Sequence, residues 1–544
     1  MNPVARPRCA SDDGRPRIGR GSRSSSRARR ARRPVRRAAV STAAADPRSP
    51  PGADSMSTTV GHAMTSARSP QAGYRTLWRW HFYAGLFVMP FLVILAVTGT
   101  IYCFQPQIEP LLYPHRLIVT PGAEPRLDAD TLLQRAVAAM PAGAKPVSAE
   151  IRREPDRSAE FVFRLPSGSR ESVYVNPYDG RVLGTLSVDA RFMQVDRMLH
   201  RKLLLGKPGE LLMELVACWT LVMIGTGVAL WWPREPGRLR RALLPDAGLR
   251  GRPLWKSVHA SLGIWLALGA LAFVLSGLPW TGSWGKQFKS LATSVNLGSP
   301  PGAWGGSSLH STRPGAKAAK AGEAASAAAA PMHHAHGDDS MPGMVMDDLP
   351  LPQTPWAVGN VPVPDSSAAP TAHPLTLDDA VAKVATLGVT SGYSLVMPVD
   401  ADGVYTVSYF PADPKAERTI YLDQYSGQVL RDIRYGDYGA VAQAVSYGTA
   451  LHMGRYFGLA NQLICAAISL GLAAMAVTGF VMWWKRRPAL TLGAPARERA
   501  APPMRGWIAG LVLLGIVFPL MGASIVAVCL ADRLVFGRAV RRAA

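Results

Sequence analysis

Four histidines stand at repeated distances from small residues. His81 lies 18 residues before Gly99 and His259 lies 18 before Gly277, while His200 lies 27 before Gly227 and His452 lies 27 before Gly479. Local context repeats too: His81 and His259 open His-x-x-x-Gly (Gly85, Gly263), and His200 and His452 sit in Leu-His-x5-Gly (Gly206, Gly458). Two imidazoles approaching from opposite sides, with glycine beside them to admit a flat macrocycle, meet the needs of six-coordinate b-type haem. Two such sites stacked across a bilayer would carry electrons over it. A lone histidine at a membrane end reads as well as an interfacial anchor or a satisfied bundle residue. Four in duplicated register favour ligation, because buried ionisable groups are costly without a role. Ligands could pair across the two copies at one depth or within one copy, and spacing leaves both open.

The elements that must hold them are apolar runs. Of 544 residues, 48% are hydrophobic and 18% charged, too little charge for one soluble domain of this size. Runs at 80–104, 211–232, 259–280, 459–484 and 507–530 are each long enough to cross about 30 Å of hydrocarbon. The connection 233–256 carries seven Lys/Arg and 485–505 carries six, with Arg75 and Arg79 before the first run, so these flanks read as cytoplasmic. Five crossings would then leave Arg533, Arg538, Arg541 and Arg542 outside, against that rule.

The expected fold is therefore an α-helical membrane protein of duplicated helix pairs plus one extra C-terminal span. The duplication reaches the outer segments, each of which ends in a small α+β unit. Val173-Tyr-Val-Asn-Pro-Tyr-Asp-Gly-Arg-Val-Leu183 matches Ile420-Tyr-Leu-Asp-Gln-Tyr-Ser-Gly-Gln-Val-Leu430, with hairpin turns at Asp179-Gly180 and Ser426-Gly427. Thr98-Gly99, Thr226-Gly227, Ser276-Gly277 and Thr478-Gly479 mark the first four spans, and both copies begin on the same side, so the repeat is parallel. The chain divides into a tail (1–73), spans at 74–105, 200–232, 257–280, 457–484 and 506–531, and outer segments at 106–199 and 281–456. Inner loops at 233–256 and 485–505 and a terminal stretch at 532–544 complete it. The second outer segment holds a low-complexity linker (302–370) before its α+β unit (374–433).

Other residues admit two readings each. The four Ser/Thr before the glycines could bond haem propionates or their own helix backbone. Trp231-Trp232, Trp483-Trp484 and Trp280 read as interfacial belts. Arg201, Lys202 and Arg455, beside the outer histidines, could pair with propionates or an anionic substrate. In the linker, His333, His334 and His336 with Met332, Met341, Met344 and Met346 form a tract suited to copper, iron or zinc, or a plain flexible connector. The tail holds 15 Arg and four Asp without Lys or Glu; it reads as disordered, or as sequence upstream of a true start at Met56 or Met64. Nothing there interleaves aromatics, so nucleic acid is not an expected partner. Cysteine spacing supports neither zinc, iron–sulfur nor covalent haem sites.

Trp80-His81-Phe-Tyr-Ala-Gly-Leu-Phe, Leu199-His200-Arg-Lys-Leu-Leu-Leu-Gly, the span from His259-Ala-Ser-Leu-Gly to Ser276-Gly-Leu-Pro-Trp280, and Ala450-Leu-His452-Met-Gly-Arg-Tyr-Phe-Gly together resemble the PepSY-associated transmembrane family of bacterial inner-membrane proteins. The resemblance covers roughly 74–532. It implies PepSY domains in the periplasm, a link to iron uptake, two bis-histidine haem b groups held by His81, His200, His259 and His452, and ferric-siderophore reductase activity. The Arg-rich tail and the His/Met tract are outside the shared pattern.

The expected function is transmembrane electron transfer to a ferric siderophore or another ferric chelate, since Fe(III) is held tightly by hard oxygen ligands and Fe(II) less so. No dinucleotide fingerprint is visible, so the donor is separate, membrane quinol or a cytoplasmic reductase. The alternatives are a periplasmic copper/iron-binding or transport module and a regulatory membrane scaffold.

Overall fold

The computed structural model describes residues 73–233, 239–301, 346–366, 373–488, 492–495 and 504–541. The tail at 1–72 and the tract from Met332 through Met344, with His333, His334 and His336, lie outside the described residues, whereas Met346 is buried in a core cluster. In chain order the main elements are α1 (Tyr74–Cys103), α2 (Gln105–Leu112), α3 (Ala129–Ala138), β1 (Lys145–Ile151), β2 (Ala159–Arg164), β3 (Arg170–Val175), β4 (Val182–Ser187), α4 (Phe192–Lys202), α5 (Lys207–Trp231), α6 (Arg252–Gly277) and α7 (Trp284–Ser294). There follow α8 (Leu377–Thr386), β5 (Tyr393–Val396), β6 (Val404–Tyr409), β7 (Arg418–Asp423), β8 (Val429–Arg434), α9 (Ala440–His452), α10 (Leu459–Trp484), α11 (Arg505–Val517) and α12 (Pro519–Arg541).

Among the described residues four helices are long and apolar enough to cross a membrane: α1, α5, α6 with its 3-10 extension to Trp280, and α10. Helices are the natural solution because every backbone polar group in hydrocarbon must be satisfied within its own segment. Both α1 and α6 pack against α5 and α10, so the four close into a ring.

The run expected as a fifth span is two shorter apolar helices, not one continuous one. It breaks at Phe518-Pro519, where proline cannot continue the hydrogen-bond ladder. Trp507 lies edge-on to Trp80, Ser524 accepts from Trp219 Nε1, and Trp80 and Trp219 stack on one another at 6.0 Å. In one straight helix residues 507 and 524 would be about 26 Å apart. The segment therefore folds back as a hairpin, its two arms touching through Gly515 and Gly522, where an added Cβ on Gly515 would come 3.1 Å from the Gly522 Cα. The Val517 carbonyl at the apex accepts from Trp284 Nε1 at 2.7 Å.

The strands form one continuous antiparallel sheet of eight, in the order β4-β3-β2-β1-β5-β6-β7-β8, rather than two separate units. The first strand of each four-stranded half supplies the junction, with Ser148 opposite Val396 and Ile151 opposite Tyr393. Pairing these edges removes two rows of unsatisfied backbone groups. The two halves share one core, in which Phe161, Phe163 and Val173 meet Leu395, Val407 and Ile420 beneath Leu132 of α3 and Val384 of α8. The N-termini of α3 and α8 cap one another: Asp378 accepts from Ala129 N and Asp130 N, and Asp130 accepts from Leu377 N and Asp378 N, all at 2.8–3.0 Å. Register shifts fall at matching places, Tyr174/Val175 and Tyr421/Leu422.

The hairpin predicts that a cysteine placed at the C-terminus (Ala544→Cys) reacts with an impermeant maleimide from the same membrane side as one placed in the 233–256 loop. Labelling from opposite sides would restore a fifth crossing.

Candidate functional site

The four histidines meet in two pairs inside the ring of helices. His81 on α1 faces His259 on α6 with ring centroids 6.3 Å apart and planes at 81°. His200 at the end of α4 faces His452 at the end of α9 at 6.5 Å and 88°. Each pair thus joins one histidine from each copy of the repeat. Thr98, which contacts His200, is 17 residues along α1 from His81, so the two levels lie about 26 Å apart.

Each imidazole is fixed the same way. The Nδ1 atoms of His81, His200, His259 and His452 lie 2.8–3.0 Å from the hydroxyls of Thr226, Thr98, Thr478 and Ser276 respectively. Each hydroxyl also bonds a carbonyl of its own helix: Val222, Ile94, Met475 and Ala272 in the same order. A hydroxyl has one hydrogen, and the helix carbonyl takes it, so the oxygen must accept from the imidazole. Nδ1 then carries the proton and Nε2 keeps its lone pair, for which no hydrogen-bond partner exists among the described residues. This is the arrangement that orients a metal-ligating histidine. The reading that these Ser/Thr bond their own helix backbone is borne out, and the same hydroxyls also hold the imidazoles.

The glycines after them lie against the same rings. They admit the imidazole itself: an added Cβ at Gly99 or Gly227 would stand 3.2 Å from Cε1 of His200 or His81, whereas at Gly277 and Gly479 the distances to His452 and His259 are 3.7 and 3.6 Å.

Two in-line imidazoles on one ion need ring centres about 6.5 Å apart, from metal–nitrogen bonds of about 2.0–2.1 Å and roughly 1.2 Å from nitrogen to ring centre. Both pairs fit that span. Among the described residues no third His, Cys, Asp or Glu joins either pair in a metal-binding group. Two ligands from the protein suit a cofactor that brings the remaining four donors itself, as a porphyrin does.

The sheet positions the second level. Arg191, just before α4, pairs with Glu109 at 2.5 Å and Glu160 of β2 at 3.0 Å. On the other side Ser446 of α9 donates to buried Glu417 at 3.1 Å. Trp280 joins the two histidine helices: its carbonyl accepts from Arg201 and its indole donates to Thr449. Phe273 lies against the His452 ring at 4.9 Å. Neither Trp280 nor Phe273 carried a sequence signal for this role, since aromatic residues are expected throughout such spans. Arg201, Lys202 and Arg455 are already engaged, with the Trp280 carbonyl, Glu210, and the Phe410 and Pro411 carbonyls respectively. Trp231 and Trp483 bond the carbonyls of Ala242 and Leu492, and Trp232 and Trp484 are exposed. Burial raises Glu417 to about 7, and raises Asp196, one turn before His200, to about 6.

These features define a membrane protein with four apolar spans and a sheet domain. The model of the PepSY-associated TM region matches residues 78–486, and the chain belongs to that family. No curated protein matches it.

Gly99→Ala and Gly227→Ala should displace their imidazoles and destabilise the protein by about 1–3 kcal/mol, the usual cost of overpacking, while Gly277→Ala and Gly479→Ala stay near wild type. Melting midpoints of the four variants check this. A carboxyl whose folded pKa is raised is most favourable to stability below its unfolded value, and that contribution is lost as pH rises through the folded value. Between about pH 4.5 and 7 the wild type should lose stability as Glu417 ionises, and Glu417→Gln should flatten that part of the profile of melting midpoint against pH.

Proposed function

We propose that this chain is a haem-bearing electron-transfer protein of the bacterial inner membrane that reduces a ferric siderophore or another ferric chelate on the periplasmic side. The observation that carries the reading is the pair of facing imidazoles at each level, with Nδ1 bound to a hydroxyl and Nε2 free. His81 and His259 would hold one haem b near the inner face, and His200 and His452 a second near the outer face. Haem supplies reversible one-electron chemistry when bound.

The chain's own residues supply position and environment. Thr226, Thr98, Thr478 and Ser276 fix each ring's tautomer and direction, and a hydrogen-bonded imidazole is a more basic ligand. The ring of apolar helices excludes water between levels about 26 Å apart, close to the thickness of the hydrocarbon. Electrons would enter on the inner side from membrane quinol or a separate cytoplasmic reductase. The sheet domain, anchored through Arg191 and Glu417 to the helices bearing His200 and His452, would stand on the periplasmic side where the chelate arrives. The parallel repeat accounts for like residues at like depths, and the basic connections 233–256 and 485–505 support the orientation.

Purified protein should contain two haems per polypeptide, falling to one in each of His81→Ala, His200→Ala, His259→Ala and His452→Ala by pyridine haemochrome assay. The reduced b-type absorption should fade when a ferric siderophore is added. A colourless preparation from haem-replete cells would overturn the reading.

A further inference from the structure

Two cysteines meet beside the second level. Cys103 is the last residue of α1 and Cys465 lies in the second turn of α10; they are 5% and 3% exposed. One turn before Cys465, Gln462 Nε2 donates to the Cys103 carbonyl at 2.9 Å. Each thiol reaches the end of α9: Cys103 Sγ donates to the His452 carbonyl at 3.8 Å, and Cys465 Sγ to the adjacent Leu451 carbonyl at 3.2 Å. The helices approach closely here. An added Cβ on Gly454 would come 3.5 Å from the Cys103 Cβ and 3.2 Å from the Gln462 Cα, one turn before Cys465.

The repeat supplies an internal comparison. Counting 22 residues from His81 gives Cys103, and from His259 gives Thr281; counting 13 from His452 gives Cys465, and from His200 gives Met213. The matching interface between α6 and α5 is thus built without thiols, so packing at this place does not require them.

We propose that Cys103 and Cys465 are a modification site, closing to a reversible disulfide that cross-links α1 to α10 under the outer imidazole pair. The inference rests on the reading that this end of the bundle faces the periplasm, where thiols are oxidised. The oxidant is an external disulfide. One thiolate attacks it and releases one thiol, forming a mixed disulfide; the second cysteine displaces the other thiol, so two S–H bonds are lost and two external thiols form. Closing the bond removes the sulfur donors to the Leu451 and His452 carbonyls, and so ties the anchoring of the His452 helix end to thiol redox state.

The full chain, purified in detergent and reduced, is incubated with dithiodipyridine, a small apolar disulfide, then denatured, alkylated with iodoacetamide and mapped by mass spectrometry. The Cys103 and Cys465 peptides should appear joined, lighter by two hydrogens than their sum and separable by dithiothreitol, while Cys218 and Cys529 do not join them. In Cys103→Ser the remaining Cys465 should instead be recovered as the mixed disulfide or alkylated. Recovery of both cysteines alkylated in the oxidised wild type, or of either joined to another cysteine, overturns the proposal. Haem measured on the same sample separates the two readings. A joined pair without haem removes the electron-transfer function and leaves the modification site; haem with unjoined cysteines removes only the site.

Discussion

The arrangement depends on one hydrogen bond made four times, from an imidazole Nδ1 to a hydroxyl whose own hydrogen is taken by its helix. In hydrocarbon a helix can tolerate Ser or Thr only where the hydroxyl finds a partner, and the carbonyl one turn back provides it. That bond turns each hydroxyl into an acceptor aimed sideways, and the imidazole on the neighbouring helix completes it. The same contact therefore packs two helices, fixes a tautomer and leaves a lone pair facing the interior.

The repeated contact organises the ring. Each His–hydroxyl bond joins elements of one copy of the repeat, α1 with α5, α4 with α1, α6 with α10 and α9 with α6. Each His–His contact joins the two copies. The sheet is built on the same plan: each half folds on its own hairpins, and β1 meets β5 at the junction, where Asp130 and Asp378 cap one another's helices. Where the plan is broken, the difference is local. The C-terminal hairpin covers α5 and the start of α7 without a counterpart, Trp219 and Trp284 reaching into it through Ser524 and the Val517 carbonyl. The cysteine pair occurs at only one of two matching interfaces.

Buried charge lies on the route between the sheet and the second level. Arg191 pairs with both Glu109 and Glu160, so three charged groups share one network. Glu417 accepts from the Ser446 hydroxyl, makes no ion pair among the described residues and is the more costly group to ionise. A buried carboxyl in that position makes the seating of α9 sensitive to protonation near neutral pH.

The amino-acid order by itself determined the four apolar spans, the two α+β repeats and the four histidines. These are properties of length, apolar content and equal spacing, which survive without knowing what touches what. Asp179-Gly180 and Ser426-Gly427 showed where hairpins turn, since Gly180 and Gly427 take the positive φ that glycine tolerates. Only the tertiary structure decided which histidine faces which, because pairing across the ring depends on how four helices close. It also showed that Thr98, Thr226, Ser276 and Thr478 hold imidazoles, that two expected units share one sheet, and that the last apolar run turns back at Pro519. All but the turn at Pro519 are contacts between segments far apart in sequence, and hydropathy, which measures transfer from water residue by residue, cannot register a partner on another helix.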